Sequence, residues 1–306
     1  MRAAFALAAL LGLSACTGSM PQAMGKAAPP VPPHHGVPEC PANAGVMDGW
    51  DDRAPPRRIF GNTWYVGTCG ITALLVTSPQ GHVLIDGATE PAGPAIAANI
   101  EALGFKLADI EFILGSHEHS DHAGGLAYLQ RDTGAPVLAL ATAAATLRRG
   151  ATDRDDPQFG QLDAYPPVAD VRIIADGQAV QLGDLKLVAH ATPGHAPGST
   201  SWTWRSCEGA HCANIAYADS LSAISNKQYR FGDHPGYAAA FRRSIDIVAA
   251  LPCDILLTPH PLASDLFARL DGKASLIDPN ACRRYADGAR ANFERRLQEE
   301  KNDTAP

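Results

Sequence analysis

Positive charge is neither abundant nor clustered in this chain. The 306 residues include 25 Lys and Arg against 32 Asp and Glu, giving a formal net charge of −7 with no run of Lys or Arg. Because binding to a phosphate backbone needs clustered cations, this distribution argues against nucleic acid as a partner. Hydrophobic residues make up 46% and charged residues 19% of the chain, which is ordinary for a globular protein.

The N-terminal apolar run is too short to be a permanent transmembrane helix. Ala3–Leu13 follows Arg2 and precedes small residues, which is the layout of a secretion signal. The residues 13–16, LSAC, resemble the lipobox of bacterial lipoproteins, in which cleavage precedes the cysteine and the thiol receives lipid. We therefore expect residues 1–15 to be a lipoprotein-type signal peptide. The alternative is a plain signal peptide cut at this site or a little later.

That interpretation predicts where the protein resides. Lipidation of Cys16 would attach it to a membrane, so we expect a periplasmic protein anchored to the outer membrane by an N-terminal lipid. Residues 16–45 are rich in Pro, Gly and Ala and have little periodicity, which indicates a flexible tether. We expect a monomer.

No two cysteines have the CxxC spacing, which argues against a zinc-thiolate site and a redox motif. With Cys16 set aside, six of the seven cysteines remain, and an even number in an exported protein indicates disulfides. Sequence does not select one pairing. Proximity favours Cys207 with Cys212, and Cys40–Cys69 and Cys253–Cys282 would then join the two chain ends to the body.

Hydrophobic periodicity predicts alternating strands and helices. The main elements expected are strands Thr63–Val66, Thr72–Thr77, His82–Asp86, Ile110–Leu114, Val137–Leu140, Val171–Ile174, Ala179–Leu182, Leu185–Ala191 and Asp254–Leu257, and helices Pro94–Leu103, Gly124–Arg131, Thr142–Arg149, Tyr237–Leu251 and Cys282–Lys301. Two more strands are expected in TSWTW and NIAYADS. The polar loop 150–167 is long for a connection without secondary structure, and such loops often form the rim of a site.

Three histidines and an aspartate lie close together in the stretch SHEHSDHAGG, residues 116–125. Imidazole and carboxylate are ligands of zinc and similar divalent metals. Alternate residues of an extended segment face the same way, so His117 and His119 can share one metal. Asp121 and His122 begin the next turn and can face a second metal. The following glycines let the backbone bend tightly.

Two further histidines directly follow apolar strands. His195 lies in TPGHAPGS and His260 in TPHP. Each alone is more often structural, but beside the first cluster they complete five histidines and one aspartate, or three ligands for each of two metals. Three protein ligands per zinc leave an open position, as in catalytic sites.

The two halves of the chain have a loosely similar order of elements. Each runs strand, turn, strand, helix, strand and then histidine, ending in SHEH or TPHP. Ligands of layered α/β folds gather at the carboxyl ends of strands. Two facing halves would therefore form an α/β four-layer αββα sandwich, with a dinuclear site at the edge between the two sheets.

The motifs HEHSDH at 117–122, GH at 194–195 and TPHP at 258–261 resemble the metallo-β-lactamase superfamily. The flanking stretches TWYVGTCGITALLVTSPQGHVLIDGA, ATPGHAPGSTSW, YADSLSAIS and LPCDILLTPHP resemble class B enzymes of its third subclass. The resemblance spans about Trp50 to Cys282 and implies that residues 46–306 form a metallo-β-lactamase catalytic domain. Other subclasses carry a cysteine ligand in the segment that reads ADSLS here, and Ser220 occupies its place.

The resemblance implies two zinc ions per chain and the residues that hold them. The first ion would take His117, His119 and His195, and the second would take Asp121, His122 and His260. The implied reaction is zinc-dependent hydrolysis of the amide bond of penicillins, cephalosporins and carbapenems by a metal-bound hydroxide, giving antibiotic resistance. Asp121, His117 and His119 would be its catalytic residues.

Candidate substrate-binding residues surround this cluster. The family implies that Ser220 and Ser222 bind the substrate carboxylate. Further candidates for substrate contact or for the rim are Tyr229, Asn226, Gln158, Phe159 and Trp50. The competing interpretations are another metallo-hydrolase, such as a lactonase or a glyoxalase-like thioesterase in which Asp219 would bridge the metals, and a lipoprotein that only binds zinc.

Overall fold

The computed structural model describes residues 37–41 and 45–303, and these contain two sheets. The first sheet has seven strands in chain order: β1 (Arg57–Phe60), β2 (Thr63–Tyr65), β3 (Leu74–Ser78), β4 (Gly81–Ile85), β5 (Ile110–Leu114), β6 (Val137–Ala139) and β7 (Val171–Ile173). The strands from β4 to β7 pair in parallel, and β1 to β4 pair antiparallel.

The second sheet has five strands. They are β8 (Ala179–Leu182), β9 (Leu185–Ala191), β10 (Thr200–Glu208), β11 (His211–Tyr217) and β12 (Ile255–Leu257), in the order β12-β11-β10-β9-β8. Strand β12 pairs in parallel with β11, and the other pairs are antiparallel.

The α-helices are α1 (Gly93–Ala102), α2 (Ser120–Ala123), α3 (Leu126–Thr133), α4 (Ala141–Arg149), α5 (Pro235–Ala250), α6 (Leu266–Leu270) and α7 (Ala281–Asn302). Helices α1, α3 and α4 cover the outer face of the first sheet, and α5 and α7 cover that of the second. Leu266 of α6 instead packs in the core between the sheets. None of the helices in the described part of the chain combines the length and apolar character needed to cross a membrane.

The two sheets and the helices outside them form four layers with three apolar cores between them. Each sheet contributes to two of these cores, because alternate residues of a strand face opposite sides of its sheet. In β3, Leu75 packs with the helices α1, α3 and α4, whereas Leu74 and Val76 face the second sheet. In β11, Tyr217 faces the first sheet, and Ala216 packs with α5 and α7. The predicted αββα sandwich is confirmed.

One predicted helix has different bounds. The helix predicted over Gly124–Arg131 is α3, which begins two residues later, at Leu126, and ends at Thr133; Gly124 and Gly125 separate it from the short helix α2. A Cβ on Gly125 would lie 2.2 Å from the carbonyl oxygen of Gly87, and one on Gly124 would lie 2.5 Å from the backbone nitrogen of Glu90. The two glycines therefore let the turn that carries the histidine cluster, residues 116–125, pack directly on the segment after β4. The strand β1 and the short helix α6 were not predicted.

The structure contains the disulfides Cys40–Cys69, Cys207–Cys212 and Cys253–Cys282, which is the pairing that proximity favours. Cys207 and Cys212 face each other across the β10–β11 hairpin. The predicted signal segment 1–15, Cys16 and residues 17–36 and 42–44 of the predicted tether lie outside the described residues.

Candidate metal centre

The turn that carries the histidine cluster is fixed to the end of β4. Asp86 follows that strand with a φ of 64°. Its carboxylate accepts hydrogen bonds from the backbone nitrogen and the hydroxyl of Ser116, both at 2.6 Å, and from the Tyr217 hydroxyl at 2.6 Å. Tyr217 belongs to the second sheet, so this buried carboxylate joins both sheets at the start of the cluster.

His117, His119 and His195 form the first group of donors. One ligand atom from each lies within 4.8 Å of the others, and all three side chains are buried. Their ring centroids are 4.7–4.9 Å apart. His195 comes from the loop between β9 and β10, so the group combines residues from the edges of both sheets.

Each histidine of this group is oriented through its other ring nitrogen. Nδ1 of His117 lies 2.8 Å from Oδ1 of Asp219, and Nε2 of His119 lies 2.9 Å from Oδ2 of Asp156. Nδ1 of His195 lies 3.0 Å from the carbonyl oxygen of Ser222. Metal-binding histidines are commonly fixed in this way, because the outer hydrogen bond selects the tautomer and the ring direction.

The second group lies against the first and shares His117 with it. Donor atoms of His117, Asp121 and His122 lie within 4.8 Å of one another. Oδ2 of Asp121 lies 3.2 Å from Nε2 of His122 and 3.5 Å from Nε2 of His260. The structure thus brings together all six predicted ligands, and His260 enters through its contact with Asp121.

Several ring nitrogens in these groups have no hydrogen-bond partner among the described residues. They are Nε2 of His117, both ring nitrogens of His122, and Nδ1 of His260. The carboxylates of Asp121 and Asp86 lie 3.2 and 3.5 Å from the two nitrogens of His122, but the angles are not those of hydrogen bonds. A buried polar atom without a partner is costly, and nitrogen and oxygen donors of this kind match a divalent cation. The donor set therefore fits the metal that the motifs imply.

The charges around the cluster favour a cation. Burial lowers the pKa of His117 and His195 well below the usual range, so both rings are neutral, the form that binds metal. Burial also lowers the pKa of His122, but Asp121 and Asp86 raise it to about 10. The carboxylates thus stabilise positive charge at this position, and a bound cation would provide it in place of the proton.

Asp219 does not group with the donor atoms. Its side chain is buried, and its Oδ1 is engaged by His117. Its observed contact orients His117, while its second oxygen, Oδ2, is buried without a hydrogen-bond partner among the described residues.

A cleft of about 660 Å³ opens above the cluster. Asp121, His119, His195 and His260 lie at the cleft, and the other lining residues are Val46, Met47, Trp50, Gln158, Gln161, Leu162, Ser220, Leu221, Ser222, Ile224, Ala263, Arg284, Tyr285, Gly288, Ala289 and Asn292. Most of these side chains are apolar or aromatic, as in small-molecule sites.

Four of the predicted substrate or rim residues line this cleft: Ser220, Ser222, Gln158 and Trp50. Nε2 of Gln158 lies 3.5 Å from Nδ1 of His119 and 3.5 Å from Nε2 of His195. The Trp50 ring lies 5.7 Å from that of His260.

Tyr229, Asn226 and Phe159 are not among the residues that line the cleft. The Tyr229 ring stacks on His234 with centroids 4.3 Å apart. The Asn226 side chain donates to the carbonyl oxygen of Phe159 at 2.9 Å and accepts from the backbone nitrogen of Tyr229 at 2.8 Å. Asn226 therefore holds one loop against another rather than facing the cleft.

Sequence reasoning missed two walls of the cleft. Val46 and Met47 are exposed, at 53% and 69%, beside Trp50. Arg284, Tyr285 and other residues of α7 also line the cleft. The apolar residues Val46 and Met47, next to the predicted tether, were one sequence signal for the first of these walls. The position of α7 at the cleft depends on its packing against α5, which the sequence does not show.

A family model described as the metallo-beta-lactamase superfamily matches residues 66–260, a span that includes all six candidate ligands. The chain belongs to the metallo-beta-lactamase superfamily. The match extends from the residue after β2 to the histidine after β12. It therefore includes most strands of both sheets as well as the candidate ligands.

Solved structures narrow the position of the chain within the superfamily. The metallo-β-lactamase MIM-1 from Novosphingobium pentaromativorans is 51% identical with a TM-score of 0.85, and the alignment covers 87% of this chain and 97% of that one. MEM-A1, a subclass B3 metallo-β-lactamase from a soil metagenome library, is 46% identical with a TM-score of 0.80, covering 83% and 100%. The resemblance to the third subclass is confirmed.

Curated relatives are more distant. A probable metallo-hydrolase of Burkholderia pseudomallei is 31% identical over 205 residues, which is 60% of this chain and 66% of that protein. The chain spans about two thirds or less of the length of the first curated relatives that it matches.

Proposed function

We propose that this metallo-β-lactamase superfamily member hydrolyses the amide bond of β-lactam antibiotics with two zinc ions. One structural observation carries the proposal, and the similarity to solved structures supports it. Two buried donor groups share His117 beneath a cleft of about 660 Å³, and the similar solved structures are metallo-β-lactamases. Penicillins, cephalosporins and carbapenems are the proposed substrates, and antibiotic resistance is the proposed consequence.

Six side chains would hold the ions. His117, His119 and His195 would hold the first ion, and Asp121, His122 and His260 the second. When bound, divalent zinc supplies Lewis acidity, which polarises a carbonyl group and lowers the pKa of water.

The protein's own contribution begins with orientation. Asp219, Asp156 and the Ser222 carbonyl fix the three imidazoles of the first group before substrate arrives. Preorganised groups stabilise developing charge without moving during the reaction. Rings that are already fixed require no rearrangement when the tetrahedral state forms.

Other residues would bind the substrate. Ser220 and Ser222 line the cleft and are the proposed partners of the substrate carboxylate. The Ser222 hydroxyl lies 2.9 Å from Nδ1 of His195, so binding of a carboxylate would turn it away from that nitrogen. The amide of Gln158 is directed between His119 and His195, where it can donate to a carbonyl oxygen. Trp50 and the apolar residues around it would exclude water from the bound ring.

An assay of the purified protein tests the reaction. A chromogenic cephalosporin, a carbapenem and a homoserine lactone are each supplied with zinc, with a metal chelator, and with zinc restored after the chelator. We expect rapid turnover of both β-lactams, its loss with chelator and its return with zinc. Turnover of the lactone alone would support another metallo-hydrolase, and zinc binding without any turnover would support a binding protein. Either result contradicts the proposal.

We also propose that the enzyme acts in the periplasm as a monomer, attached to a membrane through Cys16. The signal-like N-terminus and the three disulfides support export. Cell fractionation of the full chain and of Cys16→Ser tests the anchor. We expect the wild-type chain in the membrane fraction and the variant in the soluble periplasmic fraction, and equal distributions would contradict lipidation.

A further inference from the structure

Residues 219–222 form one short segment that orients two ligands of the first donor group. Asp219 accepts a hydrogen bond from Nδ1 of His117 through its side chain, at 2.8 Å. Ser222 accepts one from Nδ1 of His195 through its carbonyl oxygen, at 3.0 Å. The backbone position of this segment therefore determines the direction of both imidazoles.

Tyr285 of α7 holds the middle of this segment. Its hydroxyl accepts a hydrogen bond from the backbone nitrogen of Leu221 at 3.1 Å and donates one to the carbonyl oxygen of Asp219 at 3.3 Å. The two contacts join residues that are 64 and 66 positions apart in the sequence. The half-buried ring of Tyr285 also lines the cleft.

The position of Tyr285 is itself restrained. Cys282, one turn earlier in α7, is bonded to Cys253 just before β12. The buried face of α7 packs on α5 and on the outer face of the second sheet. The hydroxyl therefore projects from a helix that is covalently and sterically fixed.

The Leu221 backbone nitrogen has Tyr285 as its hydrogen-bond partner within the described residues. Leu221 is 4% exposed. Removing the hydroxyl would leave this nitrogen buried without a partner, which is more costly than losing an exposed contact. For this nitrogen to find another partner, the segment 219–222 would have to shift. Such a shift would move Asp219 and Ser222.

We propose that Tyr285 is a positioning residue for the metal centre. Its hydroxyl sets the backbone of residues 219–222 and, through Asp219 and Ser222, the imidazoles of His117 and His195. Helix α7 is thereby a structural part of the metal site although it supplies no ligand. The proposal rests on the metal-dependent function proposed above.

The variant Tyr285→Phe tests this role, because it removes only the hydroxyl. Zinc affinity is measured in the full chain by competition with a chromophoric chelator, and ligand geometry by the visible absorption spectrum of the Co²⁺-loaded protein. Loss of a direct partner of a ligand costs about 10–100-fold in metal affinity or activity. Tyr285 acts one step further out, so we expect roughly a 3–10-fold weaker affinity, by comparison with that range, and a changed Co²⁺ spectrum.

The matched control is Tyr237→Phe. The Tyr237 hydroxyl, on α5, is buried and has no hydrogen-bond partner among the described residues, and its side chain is not part of the cleft lining. We expect this variant to retain the affinity and the Co²⁺ spectrum of the wild-type protein. Thermal unfolding of both variants shows that each is folded.

Equal affinities and identical spectra for the two variants would overturn the positioning role. The kinetic constants give a second measure: we expect kcat to fall in Tyr285→Phe with little change in KM, whereas a residue that only contacts substrate would raise KM. If the wild-type protein binds zinc but leaves β-lactams intact, the proposed function fails, and the comparison of affinities still decides the role of Tyr285.

Discussion

Asp156 and His119 form a buried pair in which Oδ2 of the carboxylate lies 2.9 Å from Nε2 of the imidazole. The other carboxylate oxygen accepts the backbone nitrogen of Gln158 at 2.7 Å. One side chain in the long polar loop therefore orients both His119, a proposed metal ligand, and Gln158, whose amide points at the same site. The loop predicted to form a rim also supports the metal centre.

The variant Asp156→Asn tests this double role. His119 and Gln158 contact different oxygens of Asp156, and in asparagine one of these becomes an amide nitrogen that cannot accept, so one of the two hydrogen bonds would be lost. We expect zinc affinity or kcat/KM to fall about 10–100-fold, the usual effect of losing an outer-shell partner. Metal titration and steady-state kinetics measure the change.

The control for that experiment is Asp155→Asn, which makes the same change of charge at the adjacent, exposed position. We expect it to behave as the wild-type protein. An equal loss in both variants would mean that the charge of the loop, and not the pair with His119, is responsible.

Asp121→Ala removes the carboxylate at the centre of the second donor group. Without it, His122 and His260 lose the oxygen that lies 3.2 and 3.5 Å from their Nε2 atoms. We expect bound zinc to fall from two ions to one and activity to fall by at least about 100-fold, because removing a ligand exceeds the effect of removing an outer partner. Elemental analysis and turnover in excess zinc check this, and near-wild-type turnover would defeat the assignment.

Gly198→Ala tests the packing of the loop that carries His195 against α4 and against Glu118 of the histidine cluster. A Cβ at this position would lie 2.5 Å from the Cβ of Ala143 and 2.6 Å from Oε2 of Glu118. The Gly198 backbone nitrogen also donates to Oε1 of Glu118 at 2.8 Å, and Glu118 stands between His117 and His119. We expect the free energy of unfolding to fall by about 1–3 kcal/mol, as in other overpacked cores.

The matched substitution is Gly236→Ala in the first turn of α5, where a Cβ would meet nothing within 4 Å. We expect its unfolding free energy to equal or slightly exceed that of the wild-type protein, because alanine favours the helix. Denaturant unfolding followed by circular dichroism measures both variants. A Gly198→Ala variant as stable as Gly236→Ala would show that the loop can move away from α4 and Glu118 at no cost.

The disulfides are expected to stabilise the fold unequally. Cys253–Cys282 spans 29 residues and Cys207–Cys212 spans 5. In the chain-entropy model, the longer loop contributes about 3–4 kcal/mol and the shorter one about 2 kcal/mol. Paired Cys→Ser variants of each bridge should lower the free energy of unfolding in that order, and the reverse order would contradict the loop-length argument.

The donor residues that the structure brings together could be predicted because their signals are local. In His117, His119, Asp121 and His122, the type of donor and its spacing after an apolar strand are written in consecutive residues. His195 and His260 each follow a recognisable strand and are flanked by proline. Alternation likewise predicted where most of the strands lie, because side-chain direction has a fixed period along a strand.

Tertiary structure decided which residues support and enclose that centre. Asp219 reaches His117 across 102 positions, and Asp156 reaches His119 across 37. Tyr285 lines the cleft because α7 packs on α5. Asn226 and Tyr229 follow Ser222 closely in the sequence, but their side chains make contacts away from the cleft. The identity of a ligand is a property of one residue and its neighbours in sequence. The hydrogen-bond partner of a ligand depends on how the two sheets and their covering helices pack. No local sequence pattern encodes contacts between residues that are far apart in the chain.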